Sequence, residues 1–196
     1  FSHPGYKRFL LSVGCLLSIH FTALFFLTLF RLVFFFSANY DFPDQEHVGF
    51  MSIWPAFIRG VWFDNVIACY ILLIPLVAVS ISALFNYYGK ILWNVTCIFF
   101  SLFYGIVLLV TAANIPYFQY FFKIINSSVF NWFGYMNTTA GMVFGETSYY
   151  PPLIGFLLTL VLFIWLMRRL IRHFQRLLNT KNPSVFWLDR IYIFLT

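Results

Sequence analysis

The residues able to do chemistry are few and scattered. Four histidines (His3, His20, His47 and His173) fall at no spacing of three or four residues, so no pair shares a helix face as metal ligands. Cys15, Cys69 and Cys97 each lie inside an apolar run, with no Cys-x-x-Cys among them, and read as small buried hydrophobes. No Gly-rich phosphate loop, no Gly-x-Ser-x-Gly and no Cys–His arrangement occurs. Neither a catalytic residue nor a metal site is expected from this chain. One group stands apart: Arg59-Gly60-Val61-Trp62-Phe63-Asp64, which sets two opposite charges at the start of a long apolar run. Charge at a membrane boundary is costly and needs a reason. Two readings stand side by side. In one, the charges form a structural ion pair and Asp64 is the acid of a first helical turn, at the positive end of the dipole. In the other, Arg59 faces the phosphate of an anionic lipid headgroup. Asn114, Tyr117, Asn126 and Trp132 would complete that site from a neighbouring segment.

The elements that must position these residues follow from composition. Of the 196 residues, 62% are hydrophobic and 9% charged, against about 25% charged in soluble domains. The solvent for most of this surface must be lipid. The 28 Phe, 12 Tyr and 6 Trp exceed what one core needs, so many rings must face lipid or sit among headgroups. The net charge of +6 comes mostly from short stretches beside apolar runs. That pattern is a topology signal and a contact for anionic phospholipid, not a nucleic-acid groove.

A spanning helix needs about 20 apolar residues. Residues 9–36, 65–85, 91–113 and 151–178 meet or approach that length, the last by continuing through a basic stretch. Residues 186–196 are apolar but too short to span; they either lie on the surface or begin a fifth helix. The fold class expected is all-α: a polytopic membrane protein of four to five transmembrane helices. Lys7, Arg8, Lys90, Arg168, Arg169, Arg172, Arg176 and Lys181 fall on one side by alternation, whereas the other holds only Arg59 and Lys123 among its basic residues, with Asp41, Asp44, Glu46 and Glu146. The N-terminus is therefore expected in the cytoplasm.

Within the membrane, His20 reads as a neutral imidazole bonded to a neighbouring helix, with a functional role as the alternative. Arg31, near the outer end of the first run, reads as snorkelling to the headgroups. On the outer side, Phe118, Phe121, Phe122, Ile125, Val129, Trp132 and Phe133 recur at helical spacing, with Gln119, Lys123, Asn126 and Ser127 opposite. That spacing predicts an amphipathic helix in the interface plane.

The succession resembles the membrane domain of the lipoteichoic acid synthase family, phosphoglycerol transferases of the alkaline phosphatase and sulfatase superfamily. The resemblance rests on Arg59–Asp64, on Asn114-Ile115-Pro116-Tyr117-Phe118 followed by Lys123-Ile124-Ile125-Asn126, on residues 138–146 and on the basic tail of the fourth helix. Trp62 stands where the family's Gly-x-Arg-Phe-Asp pattern has Arg, and Asn114 where the family often has an acid. The resemblance implies five helices with amphipathic helices on the outer face of a bacterial inner membrane. It implies an extracytoplasmic C-terminal domain beyond residue 196, with a threonine nucleophile and a divalent metal, typically manganese. It also implies membrane lipid as the donor of the transferred group. The chain itself would be the anchor and carry no cofactor. The alternatives from other classes are a self-contained transporter or flippase, which needs polar groups at mid-bilayer, and a non-catalytic membrane scaffold.

Overall fold

The computed structural model describes residues 4–40, 50–85, 87–126, 141, 145 and 147–179. These form four long helices: α1 (Pro4–Tyr40), α2 (Phe50–Leu84), α3 (Lys90–Phe121) and α4 (Tyr150–Asn179). One 3-10 turn, Thr147–Tyr149, leads into α4. Each helix is long and apolar enough to cross a membrane, over Gly5–Ser37, Trp54–Leu84, Lys90–Gln119 and Tyr150–Leu178. The protein is thus an all-α, multi-pass membrane protein. In hydrocarbon a helix is the form that satisfies every backbone N–H and C=O within its own segment.

The bundle is organised around α1, which packs against all three other helices. Its buried stripe runs Ser12, Cys15, Leu16, Ile19, Ala23, Phe26, Leu27 and Phe30, one side of a 3.6-residue helix. Against it α2 presents small or compact residues: Gly60, Ala68, Val79 and Ala83 are all buried. Small side chains let backbones approach closely, which drives helix association in lipid. On the other flank α3 and α4 pack together. The common centre is aromatic: Phe163 of α4 meets Phe26 of α1 edge-on at 6.3 Å and Tyr104 of α3 at 5.5 Å. Trp93, Phe100, Tyr104 and Phe163 are at most 1% exposed, so the axis of the bundle is filled.

Three helices run past their apolar segments. α2 starts at Phe50, not near Asn65, and passes through both Pro55 and Pro75. α3 passes through Pro116 and ends at Phe121. At about 1.5 Å per residue α1 is about 55 Å long, beyond the roughly 30 Å of hydrocarbon.

α3 ends in a hook. Phe122 adopts the left-handed region (φ 51°) and donates its N–H to the Phe118 carbonyl at 2.8 Å. Such a φ costs a non-glycine residue about 1–2 kcal/mol. The returning chain is tied down by Asn114, whose side-chain oxygen accepts the Ile125 N–H at 2.8 Å. The interfacial helix expected over residues 118–133 differs here: Phe118 and Phe121 belong to the end of α3, and residues 122–126 are not helical. The rest of that stretch, and residues 186–196, lie outside the described residues.

Candidate functional site

Asp64 is not at a helix start. It lies fourteen residues into α2, and its partner comes from α1: Arg31 grips it with Nε at 3.1 Å from Oδ2 and Nη2 at 2.8 Å from both oxygens. The geometry is the fork-on-carboxylate arrangement available to Arg and not to Lys. Both residues fall within the spanning segments. Arg31 is six residues short of Ser37, about 9 Å by helical rise. Cα–Cβ bonds tilt toward a helix N-terminus, so the Arg31 side chain leans into the membrane rather than out to the headgroups. This corrects the snorkelling expectation: a carboxylate across the seam outcompetes the interface.

The seam is shaped for the pair. A Cβ placed on Gly60 would overlap the Arg31 guanidinium, so the glycine leaves the space in which the arginine crosses α2. Side-chain exposure is 31% for Arg31 and 13% for Asp64. Neutralising each other lets both charges reside in a low-dielectric setting that neither would tolerate alone.

The next residue along, Asn65, reaches the other way. Its Oδ1 lies 3.1 Å from Nε2 of the buried His20, as the reading of His20 as an imidazole bonded to a neighbouring helix expects. His20 Nδ1 has no partner among the described residues. Seven hydroxyls elsewhere in the helices are spent locally: Ser12, Ser18, Thr22, Thr28, Ser80, Ser101 and Thr111 each donate to the carbonyl four residues earlier, at 2.7–3.0 Å.

Comparison with protein-family models, with curated proteins and with solved structures found no match for this chain.

Of the residues singled out from the sequence, Arg59, Asp64, Asn114, Tyr117 and Asn126 belong to one end of the bundle, where α1 and α3 finish and α2 and α4 begin. Arg59 is exposed on α2 and makes no hydrogen bond or ion pair among the described residues. Asp64 is committed to Arg31, and Asn114 to the backbone of Ile125. The Tyr117 ring lies 4.8 Å from that of Phe121. Asn126 is exposed beyond the hook. Trp132 lies outside the described residues. Among the described residues, neither Arg59 nor Asp64 bonds to Asn114, Tyr117 or Asn126. The residue that sequence reasoning assigned elsewhere is Arg31; the cost of a guanidinium within the hydrocarbon was the available signal. Among the described residues, no three of His, Cys, Asp and Glu converge as metal ligands.

The opposite end has its own tie. Arg8, buried near the start of α1, donates to the Leu178 carbonyl at 3.3 Å. The negative end of the α4 dipole favours a cation there. The same guanidinium lies 5.3 Å from the centre of the Tyr88 ring, in the connection between α2 and α3. Burial pushes the Tyr88 phenol up to about 12, with the Arg8 charge pulling the other way.

Proposed function

We propose that this chain is the membrane anchor of a lipoteichoic-acid-synthase-like phosphoglycerol transferase, acting on lipid at the outer face of a bacterial inner membrane. The observation that carries the anchor reading is the filled axis: Phe26, Phe100, Tyr104 and Phe163 close the centre of the bundle. A transporter needs polar groups facing a cavity at mid-bilayer. Here seven of the helix hydroxyls bond within their own turns, and His20 is turned into the α1–α2 seam. Such a bundle suits an anchor that holds attached catalytic machinery over one leaflet.

The transferase part of the proposal rests on the resemblance carried by Arg59–Asp64 and Asn114–Phe118. In this reading the N-terminus is cytoplasmic and the end bearing Arg31, Arg59 and Asn114 faces outward. Asp64 serves the fold through Arg31, which leaves Arg59 as a cation able to meet a lipid phosphate. The divalent metal implied by the resemblance would be held by residues outside this chain. It would polarise the phosphoryl group and activate the hydroxyl nucleophile there.

The test is the length and activity of the native gene product. A chain that continues past Thr196 into an extracytoplasmic domain, and that releases diacylglycerol from fluorescent phosphatidylglycerol with manganese, supports the proposal. In that enzyme Arg59→Ala is expected to lower turnover about tenfold, the loss of roughly 1.4 kcal/mol of charge-assisted contact, with the melting temperature unchanged. A native protein ending near Thr196 would defeat the enzyme reading; normal turnover in Arg59→Ala would remove the headgroup role.

A further inference from the structure

At the end of the bundle that carries Arg59, α1, α3 and α4 draw apart and leave an open groove of about 330 Å³. It lies on the far side of α1 from α2, so the Arg31–Asp64 pair takes no part in it. Every lining residue belongs to a spanning segment.

The lining is graded by depth, with one exception. Ser37 and Gln119 are the last residues of the α1 and α3 spans and therefore sit at their outer boundary, whereas Thr159, nine residues into α4, is the one polar side chain in the deeper lining. Val33, Leu29 and Ile115 lie one to two turns deeper, with the buried Phe30 beside them in the lining. Leu29 and Val33 stay 43% and 47% exposed although they stand beside a helix junction. On α4, Gly155 widens the slot: a Cβ there would meet nothing within 4 Å.

This grading matches one chemistry. Water does not fill an apolar slot at this depth, and an empty one forfeits dispersion contacts along its whole wall. A bilayer glycerolipid has its ester groups at the level of Ser37 and Gln119 and its hydrocarbon below them. We propose that the groove holds one acyl chain of a glycerolipid from the adjoining leaflet, more persistently than the lipid around the rest of the bundle. The inference goes beyond the anchor reading and does not require the chain to belong to an enzyme.

The experiment uses the native-length protein in phosphatidylcholine vesicles doped with phosphatidylcholine carrying a diazirine midway along one acyl chain. After irradiation, adducts are mapped by mass spectrometry. They are expected to be several-fold enriched at Leu29, Val33 and residues 152–159 over Val66, Tyr70 and Ile74 of α2, which are comparably exposed. Gly155→Phe, which fills open space, is expected to abolish the enrichment without moving the thermal transition. Even labelling of both faces overturns the proposal, and so does enrichment that survives Gly155→Phe in a folded protein. If that variant fails to fold, the distribution on the unaltered protein decides alone.

Discussion

Arg31 and Asp64 are 33 residues apart and on different helices, yet Nη2 of the arginine sits 2.8 Å from each oxygen of the carboxylate. A guanidinium and a carboxylate inside two spanning segments are tolerable as a pair and expensive singly. That asymmetry yields a measurable signature.

Removing one partner leaves the other charged and uncompensated. Asp64→Leu is expected to destabilise the bundle by about 3 kcal/mol. Arg31→Met in the same chain is expected to restore most of that, because an apolar pair of similar bulk carries no desolvation penalty. A double-mutant cycle in reversible unfolding from mixed micelles measures the coupling. Additive effects of the two substitutions would mean that the pair contributes nothing beyond its separate side chains.

Gly60 is expected to be sensitive for one reason alone. Gly60→Ala puts a methyl group where the Arg31 guanidinium lies and should cost about 1–3 kcal/mol as an overpacked contact. In an Arg31→Ala background the same change should be close to neutral or slightly stabilising, since alanine is the better helix former. Equal cost in both backgrounds would place the constraint in the helix backbone rather than in the arginine.

Tyr88 gives a pH signature at the other end. Its phenol is raised from 10.0 to about 12, by burial first, with the Arg8 charge opposing. The folded protein therefore holds this proton more tightly than the unfolded chain does. Its contribution is whole below pH 10 and is lost as the pH climbs toward 12. Tyr88→Phe is expected to leave stability near neutrality almost unchanged, since the hydroxyl has no hydrogen-bond partner among the described residues. It should flatten the fall in melting temperature between pH 10 and 12. An unaltered alkaline profile would place the loss of stability in other groups.

Much of this architecture is legible in composition and run length. The fourth helix, expected over 151–178, spans Tyr150–Asn179, and the third begins at Lys90 against an expected 91. Errors concentrate where polar residues interrupt an apolar run. The start of α2 lies fifteen residues before Asn65 because Pro55, Arg59 and Asp64 interrupt the run on its N-terminal side. A helix carries them all the same, with its carboxylate neutralised from α1. The apolar run expected to end at 113 continues as helix to Phe121 and turns at Phe122. The candidate site was legible as a list of residue types but not as pairings. Spacing along the chain holds no information on which arginine, 31 or 59, meets Asp64; that is decided by which helix lies alongside α2.

The central position of α1 also imposes an order on biosynthesis. Leaving the ribosome ahead of the other three helices, it enters the bilayer carrying His20 and Arg31, neither of which hydrocarbon solvates. Both find their partners on the very next helix, at Asn65 and Asp64. The first two helices can therefore be delivered as a hairpin whose polar groups are already matched. Arg8 has no such early relief, because the carbonyl it binds belongs to Leu178. At about 5–20 residues per second, that clasp closes only many seconds later. The N-terminal end of the bundle is the last part of the described structure to lock.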